Sequence, residues 1–302
     1  MGVIVAGMTA REWTARDAAG VLQVPTATSH KYSRGVVGLR TGSPAYPGAA
    51  VLTVEGAARA GAGMVRWLGE PEVARLVLHR RPETVTGEGR TDAWVLGSGV
   101  DARSRPDEVR AAMLGALRSG APTVVDAGAL DLAAEARGPI VVTPHDGELR
   151  EVRIPLGLGV DDLEGEDPLQ DRLRRGFDER LLVARETAVA LGGVVLLKGA
   201  VTIVAAPTGW WTAVRAGTPW LATAGTGDVL AGAIGALAAA AAANGPIDAD
   251  ALGPVAATGA WLHGHAGRLA SGVAGGEAGH PVTALDVAAH LPAAYAAALA
   301  AS

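Results

Sequence analysis

The sequence predicts an α/β protein in which helices cover both faces of a mostly parallel central sheet. Short apolar runs alternate with helical stretches along most of the 302-residue chain, which is the pattern of parallel strands joined by crossover helices. Hydrophobic residues make up 49% of the chain, enough for a sizeable core. No internal repeat or linker divides it. We therefore expect one main domain over residues 29–302, preceded by a leader over residues 1–28 that contains a short helix.

The predicted strands are short runs of apolar and β-branched residues. In chain order they cover residues 36–39, 64–68, 93–96, 123–125, 140–142, 194–197 and 201–205. Because so few residues separate the last two runs, we expect them to form a tight hairpin.

The predicted helices are marked by their capping residues and by their composition. Thr9 and Glu12 have capping-box spacing ahead of residues 13–22, and Ser104 is expected to cap a helix over residues 106–118. Four further helices are predicted over residues 49–60, 228–243, 250–270 and 285–300. Residues 154–168, rich in glycine and acidic residues, are expected to form a mobile loop.

Composition and charge exclude several classes of function. The net charge is −5 with acids and bases interspersed, so the chain lacks the basic stripe of a nucleic-acid-binding protein, and a small-molecule partner is favoured. The absence of cysteine excludes disulfides and thiolate metal sites and fits a cytoplasmic protein. The apolar run at residues 229–243 is shorter than the roughly 20 residues of a membrane span. We therefore expect a buried helix there and no membrane role.

A glycine-rich turn that leads directly into this apolar helix is the strongest chemical signal. The amides at a helix start, aligned with the helix dipole, form a site for phosphate oxygens. Gly225 and Gly227 allow close approach to the backbone, and Asp228 is placed to accept a proton from a nearby hydroxyl. The alternative is that Asp228 only caps the helix, which is a common role for aspartate.

Other polar groups follow the predicted strands, where open α/β sheets bind ligands. His145, Asp146 and Glu148 follow one strand, although a loop histidine and an acid in a first helical turn are also ordinary structural residues. Gly99 lies in a tight turn that is not a dinucleotide fingerprint, because Ala102 occupies the place of its third glycine. Lys198, one of only two lysines against 24 arginines, follows another strand and suits a point-charge contact with phosphate.

Six short motifs occur in order and with plausible spacing. They are Ser29-His-Lys-Tyr-Ser-Arg-Gly35, Gly42-Ser-Pro-Ala-Tyr-Pro-Gly-Ala-Ala50, Asp126-Ala-Gly-Ala-Leu130, Thr143-Pro-His-Asp-Gly-Glu148, Lys198-Gly-Ala-Val-Thr202 and Ala224-Gly-Thr-Gly-Asp228. Together they resemble the ADP-dependent NAD(P)H-hydrate dehydratases, which are metabolite-repair enzymes of the ribokinase-like superfamily. The resemblance runs from about Ser29 to the C-terminus.

The resemblance implies a ribokinase-like fold and a hydro-lyase activity. Such an enzyme phosphorylates the hydroxyl of the S epimer of hydrated NADH or NADPH with ADP, and elimination of phosphate then restores the dihydronicotinamide. The products are AMP, phosphate and NAD(P)H. The resemblance also implies Mg²⁺, ADP as co-substrate and a homotetramer.

The resemblance further implies roles for individual residues. Asp228 is implied to be the catalytic base and to bind the substrate, and Glu148 to lie near magnesium. The other residues implied to bind the hydrated dinucleotide are Ala49, Gly99 and His145. The residues implied to bind the nucleotide are Lys198, Gly199, Ala200, Val201, Thr202, Gly225 and Gly227.

The chain departs from the common family pattern at three places. Tyr32 follows Lys31 where glycine is usual, Ser98 replaces a frequent proline, and Asp146 replaces the usual proline after the histidine. The Asp146 carboxylate adds negative charge near a polyanionic substrate, which we expect to weaken binding unless magnesium or Arg150 offsets it. The leader is too short for the epimerase domain that many family members carry, so we expect either a separate epimerase or a fragmentary sequence.

Two other functions fit the same motifs. A ribokinase-like small-molecule kinase shares the fold and the base but uses ATP and releases a stable phosphate ester. A noncatalytic nucleotide-binding protein keeps the pocket without turnover, although the intact Asp228 and phosphate-facing glycines argue against it.

Overall fold

A computed structural model of the protein describes residues 11–159, 168–275 and 278–302. Its centre is an eight-stranded sheet in the order β2-β1-β3-β4-β5-β6-β7-β8. The strands are β1 (Val36–Arg40), β2 (Met64–Trp67), β3 (Ala93–Leu96), β4 (Thr123–Val125), β5 (Ile140–Val142), β6 (Val194–Leu197), β7 (Thr202–Ala205) and β8 (Trp211–Val214). Strands β1 to β6 are parallel, and β7 and β8 continue the sheet antiparallel. This confirms the predicted α/β class and the mostly parallel sheet.

Helices cover both faces of the sheet. They are α1 (Ala15–Ala19), α2 (Pro47–Arg59), α3 (Pro71–Arg80), α4 (Asp107–Leu117), α5 (Leu149–Arg153), α6 (Pro168–Arg174), α7 (Phe177–Leu191), α8 (Thr226–Ala243), α9 (Leu252–Ala270) and α10 (Ala284–Leu299). Helices α2, α8, α9 and α10 contribute to one hydrophobic core, and α4 and α7 contribute to a second core with other sheet residues. Successive residues of β3 to β7 alternate between the two clusters, so the two cores lie on opposite faces of the sheet.

Two glycines let α2 and α8 pack backbone to backbone. A Cβ atom on Gly56 of α2 would lie 2.3 Å from the carbonyl oxygen of Val229, and one on Gly232 of α8 would lie 2.1 Å from that of Thr53. Neither contact leaves room for a side chain. The close packing fixes the position of the α8 N-terminus, where the glycine-rich turn begins.

All seven predicted strands are confirmed, with boundaries that agree exactly or within one residue. Strand β8 and the helices α3, α5, α6 and α7 were not predicted. The predicted cap at Ser104 is wrong, because α4 begins after Pro106 without a side-chain cap and the Ser104 hydroxyl donates instead to Asp101 (3.0 Å).

The first described residues pack on the main sheet. Helix α1 is shorter than the predicted stretch, and its capping box is formed by Thr14 and Asp17, while Thr9 lies outside the described residues. Trp13 is buried and its indole nitrogen donates to the hydroxyl of Thr258 (3.2 Å). The separation of residues 1–28 from residues 29–302 stays a prediction.

Two further predictions concern a loop and the apolar helix. Residues 154–156 of the predicted loop form a short 3₁₀ turn, whereas residues 160–167 lie outside the described part of the chain. Helix α8 is long and apolar enough to span a membrane by length and composition, but 67% of it is buried inside the protein. Burial of this kind is typical of a core helix, as the sequence predicted.

A buried carboxylate joins α2 to α3. Glu55 has a side chain only 1% exposed, and it forms ion pairs with Arg59 (2.9 Å), Arg80 (2.7 Å) and Arg81 (2.6 Å). These arginines hold the pKa of Glu55 below its usual value even though burial opposes this.

We expect Glu55→Ala to lower the free energy of unfolding by about 3 kcal/mol, because it leaves a cluster of partly buried arginines without a counter-charge. Urea denaturation checks this value. Glu83→Ala is the matched control, since Glu83 pairs with Arg81 at an exposed position and its loss should cost less than about 1 kcal/mol. Equal losses in the two variants would contradict the assignment.

Candidate active site

The carboxyl ends of four adjacent parallel strands meet at the carboxylate of Asp126. Asp126 follows β4 and is buried. It accepts hydrogen bonds from Ser98 after β3 (3.0 Å), from Thr143 after β5 (2.8 Å) and from the ammonium of Lys198 after β6 (3.0 Å). One carboxylate therefore links β3, β4, β5 and β6 at the edge where open α/β sheets bind ligands.

Lys198 lies between two carboxylates. Its Nζ atom is 3.0 Å from Asp126 and 3.4 Å from Glu148. Burial acts to lower the pKa of Lys198, but the charges of Asp126 and Glu148 outweigh it, so the pKa is raised and the side chain is a permanent cation. A Cβ atom on Gly227 would lie 3.7 Å from this Nζ atom. The ammonium thus reaches the glycine-rich turn.

The glycine-rich turn has the geometry of an anion site. Gly225 is the residue before α8 and adopts the left-handed conformation (φ 88°), which glycine tolerates without strain. A Cβ atom there would also lie 2.4 Å from Leu52. The Thr226 hydroxyl donates to the carbonyl oxygens of Leu221 and Thr223 (both 3.0 Å), which holds the turn. The first amides of α8 lack intrahelical partners, so they are available to an anion.

Asp228 lies in the first turn of α8 with a partly buried carboxylate. It accepts no hydrogen bond from residues 11–159, 168–275 or 278–302. Burial raises the pKa of Asp228 most, the charge of Asp126 raises it as well, and Lys198 opposes both effects, so that the pKa is about 7. A carboxylate with free lone pairs and a pKa near neutrality is suited to general base catalysis. It is not a helix cap, because no side-chain capping hydrogen bond is present at α8.

His145 and Glu148 form a tight turn after β5. The His145 Nδ1 atom accepts from the backbone nitrogens of Gly147 (3.0 Å) and Glu148 (3.2 Å), and the Glu148 carboxylate accepts from the backbone nitrogen of His145 (2.9 Å). The imidazole is 58% exposed, and its Nε2 atom lies 3.5 Å from the Oε1 atom of Glu148. The turn presents a histidine and an acid beside Lys198.

Ala49 and Gly99 touch each other at the start of α2. Gly99 has a positive φ (68°), and a Cβ atom on it would lie 2.3 Å from the Cβ atom of Ala49. The Ser43 hydroxyl donates to the Gly99 carbonyl oxygen (2.9 Å). A cavity of about 430 Å³ opens beside them, lined in part by Thr41, Gly42 and Val100. The cavity is lined by their neighbours and not by Ala49 or Gly99 themselves.

Lys198 to Thr202 form the predicted hairpin between β6 and β7, with Thr202 as the first residue of β7. The backbone nitrogen of Lys198 donates to the carbonyl oxygen of Pro144 (2.8 Å), so the hairpin is joined to the His145 turn. Arg180 of α7 donates to the Lys198 carbonyl oxygen (3.0 Å). The structure thus brings Lys198, Gly227, Asp228 and Glu148 together, with the His145 turn beside them.

Asp126 is the functional residue that sequence reasoning did not single out, although it lies in one of the six motifs. The available signal was an acid directly after a buried strand, like the acids near β5.

Within the described residues no three His, Asp or Glu side chains are close enough to form a metal site by themselves. His263 lies in α9, where burial lowers its pKa to about 4 and contact with the Thr226 backbone opposes this.

A larger cavity, of about 540 Å³, lies at the other end of α8. It is lined by Leu237 and Ala240 of α8 and by Asn244 at the C-cap of that helix. Ser29, Ser33 and Arg34 of the first of the six motifs line it as well. At about 1.5 Å rise per residue, Asn244 is roughly 24 Å from Asp228 along the helix. Size alone therefore does not identify the site, and we assign it to the strand ends around Asp126.

Comparisons with known proteins identify the family of the chain. The sequence profile of the NAD(P)H-hydrate dehydratase family matches residues 37–286, which is most of the chain. The chain is 40% identical over 238 residues to the bifunctional NAD(P)H-hydrate repair enzyme Nnr of Mycobacterium tuberculosis, covering 74% of this chain and 45% of that protein. It is 34% identical over 242 residues to the Escherichia coli enzyme of the same name, covering 76% and 43%. The chain thus spans about half the length of the curated relatives it matches.

A solved structure is similar over nearly the whole chain. It is the ADP/ATP-dependent NAD(P)H-hydrate dehydratase of Bacillus subtilis, co-crystallized with ATP and Mg²⁺. The TM-score is 0.77 with 27% sequence identity, and the match covers 96% of this chain and 99% of that one. These findings confirm the resemblance seen in the six motifs and the ribokinase-like fold.

We expect Asp126→Asn to lower the pKa of Asp228 from about 7 toward its usual value, because the substitution removes the neighbouring negative charge that raises it. Carbon-detected NMR titration of the Asp228 carboxyl carbon, assigned by comparison with Asp228→Asn, measures this pKa. Ser98→Ala is the control, since it removes a hydrogen bond to Asp126 but no charge and should shift the pKa less. An unchanged pKa in Asp126→Asn would show that burial alone sets it.

Proposed function

The chain belongs to the NAD(P)H-hydrate dehydratase family, and we propose that it restores NADH and NADPH from the S epimers of their hydrates with ADP as phosphoryl donor. The observation that carries this proposal is the Asp228 carboxylate. It has no hydrogen-bond partner among the described residues, lies in the same helix start as the free amides, and is close to the partly buried ammonium of Lys198. This arrangement suits a base that accepts a proton from a hydroxyl while an adjacent anion is held in place.

In the proposed reaction the hydroxyl of the hydrate loses its proton to Asp228 as its oxygen attacks the β-phosphorus of ADP. The bond from that phosphorus to the bridging oxygen breaks and AMP leaves. The amides of residues 225–227 hold the transferring phosphoryl group, and the ammonium of Lys198 offsets its charge. Loss of phosphate and a proton from the nicotinamide ring then restores the dihydronicotinamide. The protein contributes mainly by positioning the reactants and stabilising charge, as is usual in phosphoryl transfer.

The two substrates are proposed to bind on either side of Asp228. The hairpin residues Lys198 to Thr202, with Gly225 and Gly227, bind ADP. Ala49, Gly99 and His145 bind the hydrated dinucleotide. The support is spatial: Gly227 lies close to Lys198, and the His145 turn is bonded to the same hairpin through Pro144.

Magnesium fits this site as a partner of the nucleotide. Mg²⁺ retains several waters and is commonly held by one or two carboxylates and substrate phosphates, so a complete protein cage is not needed. Glu148 is the carboxylate we propose to hold it, through water, and the ion would neutralise phosphate charge. The Bacillus subtilis relative was co-crystallized with ATP and Mg²⁺, which supports the proposal.

We also propose a homotetramer and a cytoplasmic location, on the family resemblance and on the lack of cysteine. The proposal for activity covers dehydration alone. Relatives called bifunctional are about twice as long as the matching region, and nothing in the site described here addresses a second activity.

The proposal is tested by recovery of absorbance at 340 nm when the purified protein meets S-hydrated NADH, Mg²⁺ and ADP. We expect recovery that requires ADP and falls by at least about a thousandfold in Asp228→Asn, since loss of a base removes most of its catalytic contribution. Asp17→Asn is the matched control, because it alters an acid in the first turn of α1 instead of α8. A stable phosphate ester formed with ATP, without recovery, would indicate the kinase instead, and binding without turnover would indicate a noncatalytic protein.

We expect kcat/KM to fall about tenfold per pH unit below about pH 7. The pKa of Asp228 is raised to about 7, so the carboxyl is protonated below that pH and cannot accept the hydroxyl proton, whereas above it the base is fully available. A pH profile of NADH formation from the hydrate and ADP checks this. The rates at low pH are corrected for the hydrate that acid destroys. A flat profile from pH 5 to 8 would contradict the role of Asp228.

A further inference from the structure

Arg180 of α7 connects the two segments that we propose to bind the two substrates. Its Nη2 atom lies 3.0 Å from the Oδ1 atom of Asp146, in the turn after His145. The same nitrogen donates a hydrogen bond to the carbonyl oxygen of Lys198 (3.0 Å). One guanidinium thus spans the His145 turn and the first residue of the hairpin.

The guanidinium also lies directly against the hairpin backbone. A Cβ atom on Gly199 would be 2.6 Å from Nη2 and 2.9 Å from Nη1 of Arg180. Only a glycine lets this arginine approach so closely without a shift. The cation therefore lies on the backbone that the nucleotide is proposed to contact.

Arg180 and Asp146 each have a polar atom without a hydrogen-bond partner among the described residues. The Nε atom of Arg180 and the Oδ1 atom of Asp146 are buried, yet neither has a hydrogen-bond partner among the described residues. The 3.0 Å approach of the two side chains is a charge contact without hydrogen-bond geometry. The Nη1 and Nη2 atoms of Arg180 lie against the backbone of the hairpin that is proposed to contact the nucleotide, and a guanidinium in that position suits an anionic ligand.

We propose that Arg180 is a further nucleotide-binding residue, which contacts the anionic part of ADP from the hairpin side while it neutralises the Asp146 carboxylate. This inference rests on the proposed function. It also accounts for the unusual acid at position 146: its charge is paired with Arg180 at the point where an unpaired carboxylate would repel the nucleotide. The arginine expected from the sequence to offset Asp146 was Arg150, and the structure instead places Arg180 beside it.

The simplest alternative is that Arg180 only neutralises Asp146 and never touches the nucleotide. The two explanations differ in a double-mutant cycle. If Arg180 contacts ADP, its loss weakens ADP binding whether or not Asp146 is charged. If it only neutralises Asp146, its loss matters only while the carboxylate is present.

The experiment measures ADP binding by calorimetry, with Mg²⁺ and without the hydrate, for wild type, Arg180→Gln, Asp146→Asn and the double variant. We expect Arg180→Gln to weaken ADP binding about tenfold or more in both backgrounds, as expected for a charge-assisted hydrogen bond. Asp146→Asn alone should leave the affinity within about threefold of wild type or tighten it. Arg180→Lys should give an intermediate affinity, because it keeps the charge but loses the planar fork.

Arg185→Gln is the matched control, since Arg185 lies on the same helix but approaches Gly209 in the turn before β8 instead of the hairpin at Gly199. It should bind ADP as wild type does, and thermal unfolding verifies that each variant is folded. The inference is overturned if Arg180→Gln binds ADP normally, or if its defect disappears in the Asp146→Asn background. If wild type binds ADP and restores NADH but Arg180→Gln has no defect, only this inference fails. If wild type itself binds no ADP, the proposed function fails with it.

Discussion

The ion pair between the buried carboxylate of Asp126 and the partly buried ammonium of Lys198 is the interaction on which the rest of the site depends. It joins the ends of β4 and β6, and the hydrogen bonds from Ser98 and Thr143 add β3 and β5 to the same carboxylate. Breaking a buried pair by removing one partner leaves an uncompensated charge, which is strongly destabilising. A change at Asp126 therefore affects the ends of four strands together, and not one side chain alone.

The Asp126 carboxylate of the same pair adds to the effect of burial on the pKa of Asp228. Lys198 is shared with Asp126 and Glu148, so its charge only partly offsets the burial and the negative charge that raise the pKa of Asp228. Two neighbouring carboxylates thus have different partners and different tasks: Asp126 binds the lysine, and Asp228 has free lone pairs. Enzymes assign acid and base roles to neighbouring carboxyl groups through environments that move their pKa values apart. The close α2 and α8 packing through Gly56 and Gly232 then keeps Asp228 at the required position.

Much of the fold and part of the site were readable from the sequence, for physical reasons. Buried parallel strands are short runs of β-branched residues, so β3 to β6 were predicted with their exact limits. The glycine-rich turn and Asp228 were recognisable because anion sites at helix starts need glycine at fixed places. Asp126 received no role because its importance comes from Ser98, Thr143 and Lys198, which are distant in sequence. The partner of Asp146 was missed for the same reason: Arg180 reaches it from α7, a helix with no clear capping signal.

In the proposed reaction the site transfers a phosphoryl group from the nucleotide to the hydroxyl of the hydrate before water is formally lost. The most direct test uses S-hydrated NADH whose hydroxyl oxygen is ¹⁸O, with ADP and Mg²⁺, followed by mass spectrometry of the released phosphate. Transfer to the hydroxyl carries the labelled oxygen onto phosphorus, so we expect ¹⁸O in inorganic phosphate in equal amount to the NADH formed. Label found in water, with unlabelled phosphate, would mean direct dehydration and would rule out phosphoryl transfer to the hydroxyl.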